Sequence, residues 1–143
     1  VSKKEKKNEF LKEKNISDII SYGKKCDIAM VGIGTPLSQE STMMKTGYFN
    51  KTELEEFKQN NVVGDICLQF YNKSGENYNF EFNERVIGIE LDDLKKIRTV
   101  IGAAAGVEKT DAVIGALNGK FLDVLVNNYS IAKEIENYIE KGE

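Results

Sequence analysis

The sequence predicts an α/β protein built on a mostly parallel sheet with flanking helices. Three observations carry that prediction. Segments 28–33, 99–104 and 123–126 are short runs dominated by Ile, Val, Leu, Met, Ala and Gly, the last two opening on Thr99 and Asp123, the pattern of strands buried on both faces of a parallel sheet. Ala112, Val113, Ala116 and Leu117 form a helical stripe between the second and third runs. Ile131, Ile135, Tyr138 and Ile139 form another after the third. Strand, helix, strand, helix at these spacings reads as a right-handed βαβ unit.

The remaining elements follow in order. Residues 3–14 are charged, with Phe10 and Leu11 as apolar anchors, and read as a short surface helix. Asn15 has the chemistry of an N-cap, and Ile16, Ile19 and Ile20 recur at helical spacing up to Gly23. The first strand ends at Gly34. Residues 35–51 lack a clean period and read as a long loop, a feature more often functional than incidental in a compact domain. Thr52-Glu-Leu-Glu55 matches a capping box opening a helix with Leu54 and Phe57 inward, ending near Asn60-Asn61. Residues 65–70 alternate, placing Ile66, Leu68 and Phe70 on one face of a strand and leaving the other open. Asn72-Lys-Ser-Gly75 is turn chemistry and predicts a hairpin running to about Phe80. Residues 86–89 are a short apolar run, and residues 91–97 read as a short helix. Gly106 marks the turn after the second buried strand, and the next helix stops near Asn118-Gly119.

Composition narrows the function. The 143 residues fit one domain. With 41% hydrophobic and 30% charged residues and a net charge of −3, the chain has a globular composition and no overall electrostatic footprint for nucleic acid. No apolar run approaches the ~20 residues that span a bilayer. The charged N-terminus leads into no apolar stretch, so no export signal is expected and the expected location is cytoplasmic. Cys26 and Cys67 are far apart without CxxC spacing and read as free thiols. There is no histidine, which removes the commonest general base and most zinc catalysis. No metal or cofactor is expected.

Three places have the chemistry of a binding site. Gly32-Ile-Gly34-Thr35-Pro36 lies at the carboxyl end of a predicted strand, where open α/β sheets take their ligands. Leu37 occupies the place of the third glycine of a dinucleotide fingerprint, and a tightly packed strand exit explains the glycines as well. Gly106-Val-Glu-Lys109 joins a strand end to a helix N-terminus, which favours an anion. Lys109 opposes the helix dipole there unless an anion accompanies it, or it is simply solvated. Asp65, at the start of its strand, has the acceptor-only oxygens that suit sugar hydroxyls, or is an exposed acid at a loop edge.

Together these segments resemble the C-terminal effector-binding domain of SorC/DeoR-type bacterial transcriptional regulators. The matching stretches, in order, are Cys26-Asp-Ile-Ala-Met-Val-Gly-Ile-Gly-Thr35, Val62-Val-Gly-Asp-Ile66, Arg85-Val-Ile-Gly-Ile89, Leu91-Asp-Asp-Leu94, Gly106-Val-Glu-Lys109 and Phe121-Leu-Asp-Val-Leu-Val126. The resemblance implies a Rossmann-like fold related to sugar-phosphate isomerases and deaminases. It also implies a phosphorylated sugar as effector, and a homo-oligomer, dimer or tetramer, that meets operator DNA through an N-terminal helix-turn-helix domain not present in these residues. The family domain is longer, so residues 1–143 correspond to its C-terminal portion. By the family pattern Lys109 takes the phosphate, Asp65 the sugar hydroxyls, and the loop around Thr46-Gly47-Tyr48 the other end of the ligand, with Gly32, Gly34, Thr35 and Gly106 forming the backbone around them. Two positions depart from the pattern. Ala105 stands where the family usually has a glycine, and Asn127-Asn128-Tyr129 stands where it tends to have Thr-Asp-Glu. A sugar-phosphate isomerase or deaminase on a related fold is the alternative, with Asp65 and Lys109 as its acid–base pair.

Overall fold

The computed structural model describes residues 4–36, 45, 47, 49–77 and 82–142. Helices α1 (Lys4–Phe10) and α2 (Lys14–Gly23) precede strand β1 (Ile28–Gly32). Helix α3 (Lys51–Gln59), strands β2 (Val62–Ile66) and β3 (Gln69–Asn72), a 3-10 turn (Asn83–Arg85) and helix α4 (Leu91–Leu94) follow. Strand β4 (Thr99–Ala104), a second 3-10 turn (Val107–Lys109), helix α5 (Thr110–Asn118), strand β5 (Val124–Asn127) and helix α6 (Tyr129–Lys141) form the last third. No helix among the described residues is long and apolar enough to cross a membrane.

Strands β1, β4 and β5 form a parallel sheet with β4 in the centre. Ile28 lies opposite Thr99 and Gly32 opposite Ala103, while Ile101 lies opposite Val124 and Ala104 opposite Asn127. The β4–α5–β5 segment is the expected βαβ unit. One face of the sheet supplies Val31, Ile33, Val100 and Ala104 to a core completed by Ala112, Val113 and Ala116 of α5 with Leu91, Leu94, Phe121 and Ile131. A second, separate cluster surrounds the β2–β3 hairpin. There the rings of Phe49, Phe57, Phe70 and Phe82 meet at centroid distances between 4.6 and 6.1 Å, mostly edge to face, the favoured geometry for aromatic quadrupoles.

The structure corrects four details of the sequence reading. Among the described residues the parallel sheet is covered on one face only. Ile28 is 58% exposed and Met30 77%, and Val124 and Val126 are exposed beside them. Alternate residues of each strand point to opposite faces, and among the described residues no helix packs on this second face. Asn15 does not cap α2: the helix begins at Lys14, with Glu13 at the cap position, two residues earlier, and no side-chain cap. The capping box of α3 lies two residues upstream of Thr52. Asn50 Oδ1 accepts from the Glu53 N–H at 2.9 Å, and Glu53 Oε2 accepts from the Asn50 N–H at 2.8 Å. Glu53 also pairs with Arg85, which fixes its side chain in the capping position.

The fourth correction concerns residues 65–70. They form no continuous strand, because the chain reverses at Cys67-Leu68, with φ of 54° and 62°. Ile66 then pairs with Gln69 and Asp65 with Phe70. Two successive positive φ values are the signature of a type I′ hairpin turn, usually built from Asn-Gly, and side chains with a Cβ enter that region at a cost. The turn at residues 72–75 is present: the Gly75 N–H donates to the Asn72 carbonyl at 3.0 Å, with Gly75 at φ 80°. The strand predicted beyond it falls largely on residues 78–81, outside the described residues.

Gly115 sits mid-helix in α5, where alanine normally stabilises by about 1 kcal/mol. A Cβ there would lie 2.6 Å from the Asn72 carbonyl oxygen and 3.0 Å from the Tyr71 ring. The Gly115→Ala variant is therefore expected to lose about 1–3 kcal/mol, the usual penalty for overpacking. A urea midpoint that rises would contradict this packing.

Candidate functional site

Strand β1 runs one residue pair beyond its parallel ladder. The Gly34 N–H donates to the Asp65 carbonyl at 2.9 Å, and the Asp65 N–H donates to the Gly34 carbonyl at 3.1 Å, an isolated antiparallel bridge. This contact requires glycine at 34. A Cβ built there would lie 2.1 Å from Asp65 Oδ1. The glycine thus seats the carboxylate of β2 against the carboxyl end of β1, the edge at which open α/β sheets bind ligands.

Lys109 reaches the same place from the loop after β4. Its Nζ donates to the Ile33 carbonyl at 3.0 Å, one residue from the bridge, and its charge acts on Asp65. It is half-buried and turned inward, which rules out the reading of Lys109 as a simply solvated side chain. Gly106 makes the required bend at φ 105°, and a Cβ there would strike the Glu108 carboxylate at 2.1 Å. The 3-10 turn of residues 107–109 separates Gly106 from α5, so Lys109 occupies the N-cap position of that helix, with no side-chain cap of its own.

Burial raises the Asp65 carboxyl above its ordinary value. The hydrogen bond from the Leu68 N–H and the charge of Lys109 pull in the other direction without cancelling it. The Asp65 charge in turn adds to burial in pushing up the Cys67 thiol and the Tyr71 phenol. Tyr71 donates its hydroxyl to the Ala112 carbonyl at 2.9 Å, tying the hairpin to α5. Cys67 is held as a thiol, and both cysteines are free.

Of the residues named from sequence, Gly34, Asp65, Gly106 and Lys109 converge. Thr35 is half-buried directly after Gly34. Gly32 ends β1 with open space where a Cβ would be, so tight packing does not explain that glycine. Thr46 and Tyr48 lie outside the described residues. Gly47, at φ 65°, lines a different feature, a cleft of about 520 Å³ shared with Phe49, Leu68, Phe82 and Arg85. Asp65 and Lys109 do not line it, and Leu68, whose N–H binds Asp65, is the link between the two. Sequence reasoning missed the Cys67-Leu68 turn and the anchoring role of Tyr71. Neither residue type at the turn favours positive φ. Only the buried tyrosine, which needs a hydroxyl partner, carried a signal.

The fold and this edge define an α/β domain suited to holding a small polar ligand. The family model "Putative sugar-binding domain" matches residues 1–136, and the chain belongs to this family, the sugar-binding domain of SorC/DeoR-type regulators. The chain is 36% identical over 126 residues to the deoxyribonucleoside regulator of Bacillus subtilis, covering 88% of this chain and 40% of that protein. A DeoR family transcriptional regulator from Listeria monocytogenes superposes with a TM-score of 0.88 at 38% identity, over 94% of this chain and 54% of that one. The full-length sorbitol operon regulator SorC from Klebsiella pneumoniae gives 0.86 at 30% identity, over 94% and 44%. The chain thus spans about half the length of these relatives, or less.

The raised Asp65 pKa has a stability consequence. The contribution of the protonated carboxyl is fully present below the unfolded value near 3.8 and is lost as pH rises through the higher native value. Asp65→Asn keeps an acceptor for the Leu68 N–H and removes the buried charge. Its urea midpoint is expected to exceed that of the parent chain at pH 7, with the advantage vanishing at pH 3.5; a constant difference across that range would reject burial as the dominant effect.

Proposed function

We propose that this chain is the effector-sensing portion of a bacterial transcriptional regulator of carbohydrate metabolism, and that it binds a phosphorylated sugar at the Gly34–Asp65–Lys109 edge. The observation that carries the reading is the meeting of a carboxylate and an ammonium, from segments 44 residues apart in sequence (109 − 65), at the carboxyl end of β1. Lys109, beside the start of α5, is placed for an anionic group, where the helix dipole adds to its charge. Asp65 is placed for hydroxyls. The loop containing Thr46, Gly47 and Tyr48, with Gly32, Thr35 and Gly106, borders the remaining ligand. The names of the relatives support a regulator in preference to an isomerase or deaminase.

In this reading residues 1–143 work within a longer polypeptide. The relatives are longer, and a parallel sheet is ordinarily covered on both faces, whereas this one leaves Ile28, Met30, Val124 and Val126 open. Operator contacts belong to a separate helix-turn-helix domain, and the parent acts in the cytoplasm as a homo-oligomer. Ligand alters DNA affinity by binding one arrangement of that oligomer more tightly than another.

The test is calorimetric titration of the parent regulator with a panel of aldose and ketose phosphates. Lys109→Ala should weaken the binding partner about 10- to 100-fold, the range for losing a charged hydrogen bond, with the thermal midpoint retained. Unchanged affinity would remove Lys109 from the site. Interconversion of the sugars by the chain, abolished in Asp65→Asn, would replace the regulator reading by the enzyme one.

A further inference from the structure

Gln69 starts β3, directly after the Cys67-Leu68 reversal, and is only 4% exposed. Its Nε2 is buried and finds no hydrogen-bond partner among the described residues. A buried primary amide with both hydrogens unused is uncommon, and an unseen water, ion or ligand is the usual explanation. Gln69 is not loosely placed. The neighbouring Phe70 is held on both sides by Asn83, whose Oδ1 accepts from the Phe70 N–H at 3.0 Å and whose Nδ2 donates to the Phe70 carbonyl at 3.3 Å.

Gln69 lines a polar cleft of about 300 Å³ between α1 and the segment from the first 3-10 turn to α4. Lys4 and Lys7 enter it from α1, and Glu84, Glu90 and Asp92 from the other side. Lys4 Nζ lies 2.6 Å from Glu84 Oε1, and the buried Lys7 Nζ lies 3.2 Å from Glu90 Oε1. We infer that this cleft is a second ligand site, distinct from the Asp65–Lys109 edge, for a neutral polyhydroxylated molecule the size of one monosaccharide or polyol.

The charge pattern selects that class. An anion would satisfy the Gln69 amide but face three carboxylates. A cation would satisfy the carboxylates but face two ammonium groups and the amide hydrogens. A hydroxyl accepts from the amide through its oxygen and donates to a carboxylate through its hydrogen. Vicinal hydroxyls use both kinds of group without adding charge. The volume lies at the lower end for small-molecule sites.

The experiment is a titration of the full 15N-labelled chain with D-glucose, D-ribose and D-mannitol, following the side-chain amide signals of Gln69, assigned by their absence in Gln69→Met. The expected result is a saturable shift of that amide pair with at least one of the three, and none with inorganic phosphate. Gln69→Met, which replaces the orphaned donor by an apolar chain of similar length, should raise the thermal midpoint without sugar and abolish the sugar-dependent stabilisation. Absence of a saturable shift with all three probes overturns the inference, leaving at most a bound water. Saturation by inorganic phosphate overturns it in favour of an anion site. A Gln69→Met variant that melts lower or fails to fold shows that the amide has a protein partner in solution, and also overturns it.

Discussion

The site depends on one close approach, the two backbone hydrogen bonds between Gly34 and Asp65. They join the end of the parallel sheet to the hairpin, two substructures that otherwise have separate strand ladders. Sterically, the approach is open only to a residue without a side chain. From it follow the position of the Asp65 carboxylate, its burial, and its proximity to the amine of Lys109. A residue at 34 bearing a methyl group would leave the fold its helices and strands but displace the acid from the edge.

The electrostatics of the edge are not those of a finished ion pair. Lys109 makes its hydrogen bond to a neutral carbonyl, and Asp65 takes one from a backbone N–H. Among the described residues neither group is neutralised by direct pairing, and Asp65 sits above its ordinary pKa despite the nearby ammonium. Burial of the Asp65 charge costs stability, and groups perturbed in this way cluster at functional sites. The Cys67-Leu68 turn adds to the same cost. Two side chains held at positive φ present the Leu68 N–H to Asp65, a placement that backbone strain is known to accompany at ligand clamps.

The sheet was legible because its signals are local: apolar runs of fixed length separated by a helical stripe specify β4, α5 and β5 almost to the residue. Asp65 and Lys109 were legible as chemistry, an acid at a strand start and a lysine at a helix start. Their juxtaposition was not, since it arises from the Gly34 contact between distant segments. The capping box was misplaced by two residues because Thr52-Glu-Leu-Glu55 and Asn50-Lys-Thr-Glu53 both fit the motif, and Glu53's partner Arg85 lies far along the chain. The hairpin was misread because alternation across residues 65–70 is what a continuous strand would show, and Cys-Leu carries no turn chemistry. The open face of the sheet was invisible to pattern alone, since a strand's sequence shows which side chains are apolar and not what covers them.

The phenylalanine cluster has a further consequence, for how the molecule breathes. It packs α3 and the hairpin around rings that the main core does not share. The hairpin is the shared member: Ile66 and Tyr71 are buried in the main core, and Val62 and Phe70 among the rings. Its hold on α5 includes the buried Tyr71 ring and hydroxyl and the contact of Asn72 and Tyr71 with Gly115, besides the Gly34 bridge to the sheet. Openings that release the hairpin should therefore disturb both cores. A ligand grasped by both Asp65 and Lys109 would act as a clasp between the hairpin and the loop after β4, converting occupancy into mechanical continuity between them.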